Sequence, residues 1–178
     1  NGGILSTLEK PGYYTPCRVD IDITYIWKGK TRRIYKKYHA ENIIAYYQEE
    51  IKGIIEPTIF EEKMLFAILL EKTKPRIDTD KNVKIVKDGF HIHFPFFICE
   101  SWIIDQYLRD RVTKRMIDDG LWEDVELYNS VDKIIDRDIG RKVWFMYGSS
   151  KDPTCSEPYL YTSAYDSTLN IIDIKDVF

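Results

Sequence analysis

The sequence predicts an α+β fold: a mainly antiparallel sheet with helices packed on one face. Three observations predict it. Residues 17–26 alternate apolar and polar side chains with a period of two. Residues 40–55 repeat apolar side chains at steps of three and four. The candidate elements follow in the order strand, helix, strands, helix, strand, separated by long connections.

Each element has its own warrant. Residues 1–16 carry Gly and Pro and read mostly as loop. In the strand at 17–26, Val19, Ile21 and Ile23 flank two acids, which suggests a central strand rather than an exposed edge. The helix at 40–55 rests on Ile43, Ile44, Tyr47, Ile51 and Ile54 or Ile55, with Pro57 just past its end. Residues 60–71 are apolar and contain a strand near 65–70, and residues 72–82 form a polar loop around Pro75. A strand follows at 84–97. Ser101 is a plausible N-cap for a helix over about 102–119, which Gly120 closes. Residues 121–141 are mixed and acidic. A short strand at 142–147 stops at Gly148, residues 149–158 are turn-rich, and one more strand is expected at 159–162.

The 178 residues are most simply one domain, long enough to bury a core, and 44% hydrophobic with 31% charged residues suits a soluble globular protein. No apolar run reaches the length of about 18 residues that a transmembrane helix needs, so no membrane partner is expected. The N-terminus lacks the order of a signal peptide and lacks Met, as expected of a piece of a longer chain. Cys17, Cys99 and Cys155 are widely spaced with no CxxC, which favours free thiols and a reduced, intracellular compartment over a zinc ribbon. A net charge of −3 argues against a surface that grips nucleic acid everywhere. Local basic stretches remain, with six cations in residues 28–37 and four in 109–115, each either a contact surface or a solvated face.

Three stretches carry candidate chemistry. Asp20 and Asp22 stand two apart on a strand, so both carboxylates share a face and repel unless a cation lies between them. That pattern suits a divalent-cation site built from hard oxygen ligands, or else an exposed acidic edge. His91 and His93 share a face opposite Phe90, Ile92 and Phe94, as a His-x-His metal site or as hydrogen-bonded structural imidazoles. Residues 134–151 offer Asp136, then a strand, then a Gly-Ser-Ser-Lys turn whose Ser149 and Lys151 could meet a phosphate; it is not a P-loop.

Together and in this order, the stretches resemble the archaeo-eukaryotic primase superfamily, in the form found in the primase-helicases of large DNA viruses such as poxviruses, asfarviruses and mimiviruses. Val19-Asp20-Ile21-Asp22 is similar to its DxD strand and Gly89-Phe90-His91-Ile92 to its second, His-bearing strand. Ile135-Asp136, with Trp144 to Lys151, is similar to its third motif, and Glu157-Pro158-Tyr159 to the segment after it. The likeness covers about residues 17–162. It implies a catalytic core related to the RNA-recognition-motif fold, occupying residues 1–178 as one primase-polymerase domain of a longer primase-helicase.

The resemblance also implies template-directed nucleotidyl transfer on single-stranded DNA, making primers for replication from NTPs or dNTPs. Asp20, Asp22 and Asp136 would hold two Mg²⁺ or Mn²⁺ ions; Asp132 and Asp138 are rivals of Asp136, which is preferred because it follows two isoleucines. His91, Ser149 and Lys151 would contact the nucleotide's phosphates, and Gly89 would give the triphosphate room. The basic stretches could track a template. A helicase ATPase domain is expected in the same polypeptide, and the host cytoplasm or a viral replication site as its location. His93 stands where relatives often carry an aliphatic residue. The competing expectations are a non-catalytic nucleic-acid-binding domain of the same fold and a metal-dependent nuclease.

Overall fold

The computed structural model of the chain describes residues 8–145, 148 and 157–178. Its elements are β1 (Leu8–Glu9), β2 (Tyr14–Ile26), α1 (Lys37–Ile54), β3 (Ala67–Lys72), β4 (Arg76–Asp80) and β5 (Val83–Glu100). A π-helical segment, Ile103–Leu108, runs into α2 (Arg109–Asp118), followed by β6 (Trp144–Phe145), β7 (Tyr159–Tyr165) and β8 (Ile171–Ile172).

Six strands form one sheet in the order β2-β5-β3-β7-β8, with β4 also on β5, and every described pairing is antiparallel. The 18-residue β5 is its spine: β2 runs along one side, while β4 and then β3 share the other. β1 and β6 pair separately. The expected α+β class, antiparallel sheet and flanking helices are all present.

Alternation sorts the side chains. Cys17, Val19, Ile21 and Ile23 of β2, Phe90, Ile92 and Phe94 of β5, and Ala67 and Leu69 of β3 are buried on one face. Ala40, Ile43, Ile44, Tyr47 and Ile51 of α1 and Val112 and Met116 of α2 complete that core. Fully burying each such side chain is worth about 1.5–3 kcal/mol, so this face dominates the stability. On the other face Ile68, Leu70, Ala164 and Val177 form a smaller cluster. Beside it the residues opposite the core positions of β2 and β5 are Arg18, Asp20, Asp22, His91 and His93.

Three local expectations need correction. Residues 72–82 are not one loop: β4 pairs with β5 through a two-residue turn in which Lys81 and Asn82 take φ 46 and 67°. Asn tolerates that left-handed conformation, and an exposed, polar β4 carries little apolar signal. Second, β2 ends the strand order rather than lying inside it; its apolar flanks record burial under the helices, not strands on both sides. Its outer edge is capped by main chain from Ile134 to Asp136. Third, Ser101 lies within the first helical turn rather than before it. Gly120, at φ 62°, does close α2 as expected. No helix of the described residues is long and apolar enough to cross a membrane.

Gly89 has a packing role. A Cβ there would lie 2.0 Å from the Ile21 carbonyl oxygen, so the missing side chain lets β2 and β5 close on each other rather than making room for a triphosphate. Gly89→Ala is therefore expected to destabilise the protein by about 1–3 kcal/mol through overpacking. Gly53→Ala in α1, where a Cβ meets nothing within 4 Å, should be neutral or stabilising by up to about 1 kcal/mol. Urea midpoints of the two variants check this; equal effects would contradict it.

Candidate functional site

The open face is assembled by register. Along β2 and β5, Arg18 stands opposite His93, Asp20 opposite His91 and Asp22 opposite Gly89. On the other edge of β2, Ile21 bridges Ile135; the Asp22 N–H donates to the Ile134 carbonyl at 2.8 Å and the Asp136 N–H to the Asp20 carbonyl at 3.0 Å. Side chains alternate along a strand and directly paired residues share a face, so Asp136 lies opposite Asp20 on the face that Asp20 and Asp22 share. Ile135, one residue back, enters the core with Ile21.

His91 is buried and held between two rings. Tyr159 stacks on it with centroids 3.4 Å apart, and Trp144 lies at 4.1 Å. Its Nε2 is 3.3 Å from Asp20 Oδ1, an ion-pair separation whose geometry falls short of a hydrogen bond; that buried oxygen has no other partner. Lys142 Nζ donates to both Asp136 oxygens at 2.8 Å. Lys72 reaches over Tyr159, 5.0 Å from the ring centroid, from β3. Lys72, Lys142, Trp144 and Tyr159 were not read from the sequence as site residues, because only the strand pairing gathers them.

The two acids of the DxD pair are driven apart. Burial pushes the Asp20 carboxyl up, but the charge of His91 and contact with its ring, helped by Lys72 and Lys142, hold it below the ordinary carboxylate value. Asp22 moves the other way, pushed up to about 6 by loss of hydration, then by the charge of Asp20 and, against the pull of Lys72, by that of Asp136. Asp22 is also open to solvent, which screens part of this; like-charge crowding gives the direction. At His93 burial, then the Arg18 charge, lowers the imidazole to about 4, and its Nε2 has no hydrogen-bond partner. A neutral imidazole facing a cation is a poor phosphate ligand.

Among the described residues, no three His, Cys, Asp or Glu side chains are gathered closely enough to hold a metal as they stand. The reason is visible: Asp136 is turned to Lys142, and Asp20 to His91. The donor set nevertheless fits a hard divalent cation. It offers carboxylate oxygens from three adjacent positions, one of them buried without a hydrogen-bond donor and one carboxyl crowded by like charge. Ser149 and Lys151 lie outside the described residues. The preceding Gly148 donates its N–H to the Tyr159 carbonyl at 3.0 Å, beside the ring that covers His91.

The basic stretches are largely spent on internal pairs. Arg33 binds Asp88 and Glu71, Lys28 binds Glu126, Lys36 binds Asp124 and Lys37 binds Glu41. In α2, Arg111 and Arg115 pair with Glu50 and Glu49, Lys114 pairs with Asp118, and Arg109 is buried. Residues 109–115 are thus not an open cationic track. Lys30 and Arg32 have no ion-pair partner among the described residues.

A helix-backed antiparallel sheet whose open face carries strand-borne aspartates beside a buried histidine agrees with the archaeo-eukaryotic primase class. Within it, the chain belongs to the family described as the C962R protein N-terminal AEP domain, whose model matches residues 3–165. The protein named "Putative helicase 184R" of Invertebrate iridescent virus 6 is 32% identical over 194 aligned residues, covering 100% of this chain and 19% of its own. "Putative helicase 121R" of Invertebrate iridescent virus 3 is 27% identical over 180 residues, covering 96% of this chain and 18% of its own. The chain therefore spans about a fifth of the length of these relatives.

The Asp22 shift carries a stability consequence. Folded Asp22 holds its proton more tightly than the unfolded chain, so its charge costs stability above about pH 6, and the cost fades as pH falls from about 6 towards 3.8. Asp22→Asn should melt higher than wild type at pH 8, and the gap should narrow at pH 4. A lower melting temperature at pH 8 would contradict the crowding.

Proposed function

We propose that the chain is the catalytic domain of a DNA primase or primase-polymerase, performing template-directed nucleotidyl transfer on single-stranded DNA. The observation that carries this is the register that brings Asp20, Asp22 and Asp136 to one sheet face with His91 across from Asp20. A protein that only bound nucleic acid would gain nothing from three acids facing a phosphate backbone.

Asp20, Asp22 and Asp136 would hold Mg²⁺ or Mn²⁺, with Asp136 released from Lys142 and Asp22 deprotonated. Bound there, the ions would activate the attacking 3′-hydroxyl and stabilise charge on the α-phosphate of an NTP or dNTP. His91 is held in one orientation against Tyr159 and Trp144 and is assigned to a phosphate oxygen on the family's pattern. Lys142, once free of Asp136, and Lys72 place positive charge at the same rim, where the leaving pyrophosphate gains negative charge. Ser149 and Lys151 follow Gly148 in sequence and are assigned to the triphosphate on the family's pattern. Lys30 and Arg32 are the cations of the first basic stretch left for a template phosphate. The curated relatives are named helicases and extend far beyond this chain, which supports a helicase ATPase domain in the same polypeptide, acting at a viral replication site inside the host cell.

The test is incubation with Mn²⁺, NTPs or dNTPs and single-stranded DNA. Template-dependent oligonucleotides are expected, and Asp20→Ala, Asp22→Ala or Asp136→Ala should each lower the rate at least about 100-fold, as loss of several kcal/mol of charge stabilisation requires. Degradation of the DNA would instead support a nuclease, and binding without either reaction a non-catalytic domain.

A further inference from the structure

Asp136 is the one proposed carboxylate that no strand of the main sheet carries. It sits in irregular chain between Val131–Lys133, a single 3₁₀ turn, and β6. Two backbone hydrogen bonds and the Arg18 guanidinium, which donates to the Ile139 carbonyl at 3.5 Å, tie its neighbourhood to β2, and Ile134, Ile135 and Ile139 are buried in the core; none of these fixes the backbone directly on both sides of Asp136.

Two charged side chains on consecutive helical turns also hold the backbone on either side of Asp136. Arg109 is 2% exposed; its Nε donates to the Ile135 carbonyl at 3.1 Å, and a terminal nitrogen donates to the Asp132 carbonyl. Asp105 is 5% exposed; its Oδ1 accepts from the Gly140 N–H at 2.6 Å and its Oδ2 from Arg141 Nε at 3.0 Å. One grips the chain before Asp136 and the other grips it after. Asp105 lies in the π-helical segment and Arg109 at the first residue of α2; such π turns are rare in helices and frequent at functional sites. The fit at the far grip is tight: a Cβ on Gly140 would meet the Ser101 carbonyl oxygen at 2.8 Å and Asp105 Oδ1 at 3.0 Å. Burying two charged groups against backbone is costly unless every bond is made, and a loop with no further duty would not need it.

We propose that Asp105 and Arg109 are positioning residues that hold residues 132–141 against β2, and so set the Asp136 carboxylate beside Asp20 and Asp22. This rests on the metal-binding reading of those three acids. The clamp touches no nucleotide or ion; it acts through Asp136 alone.

The test measures Mn²⁺ affinity of the full chain by electron paramagnetic resonance, alongside melting temperature. Arg109→Lys keeps the charge but cannot span two carbonyls, and Asp105→Asn keeps one acceptor but loses the charge that holds Arg141. Gly140→Ala displaces the loop without stranding a buried charge, and serves if either of the others fails to fold. Each folded variant should bind Mn²⁺ at least about tenfold more weakly, as should Asp136→Ala, and adding Asp136→Ala to it should weaken binding no further. Folded clamp variants that bind Mn²⁺ like wild type, or losses that add to that of Asp136→Ala, would overturn the clamp and leave the site standing. An Asp136→Ala protein that binds Mn²⁺ as wild type does would instead overturn the site.

Discussion

The antiparallel pairing of β2 with β5 holds the rest of the molecule in place. It runs from Tyr14 opposite Glu100 to Ile26 opposite Ile85, with one irregularity at Pro16 and Cys17. Within it a slip of one residue would exchange the two faces, burying Asp20 and Asp22 under the helices and exposing Val19 and Ile21. The slip is opposed from both sides: by the core side chains of Val19, Ile21, Phe90 and Ile92, all 0% exposed, and by the close approach of the Ile21 carbonyl to Gly89. The same alternation that builds the core therefore places the acids.

Concentrating acids on that face is unfavourable to folding, and the protein offsets it with partners of its own. The His91 ring stands against Asp20 and Lys142 spans Asp136, while Asp22 has no such partner among the described residues and shows the crowding most. An acid paired with a lysine, as Asp136 is with Lys142, can exchange that partner for an ion of higher charge. Stability at this face and binding at this face are in opposition, as is usual where function needs like charges together.

Much of this was legible in the sequence, because strand alternation is a local signal. Asp20 and Asp22 could be placed on one face, and His91 and His93 opposite Phe90, Ile92 and Phe94, from spacing alone. Asp136 was preferred to its rivals on its apolar neighbours, and Ile135 does enter the core beside Ile21. Asp132 lies in a 3₁₀ turn, and Asp138 pairs with Arg141. What spacing could not reveal depends on partners distant in sequence. The distant acids that neutralise the basic stretches are Glu49, Glu50, Glu71, Asp88, Asp124 and Glu126. The rings that clamp His91 lie 53 and 68 residues further on, at Trp144 and Tyr159. The β4 hairpin was hidden by the polarity of an exposed strand, and the π segment by apolar spacing that fits an ordinary helix.

The central claim is that Asp20, Asp22 and Asp136 are ligands of one metal centre formed across the edge of β2. Anomalous diffraction from crystals soaked in Mn²⁺ with a non-hydrolysable nucleotide tests it most directly. The account predicts Mn²⁺ bound by all three carboxylates, with Asp136 turned away from Lys142 and, if two ions bind, a separation of about 4 Å. Manganese bound elsewhere, or Asp136 still paired with Lys142 beside a bound nucleotide, would contradict it.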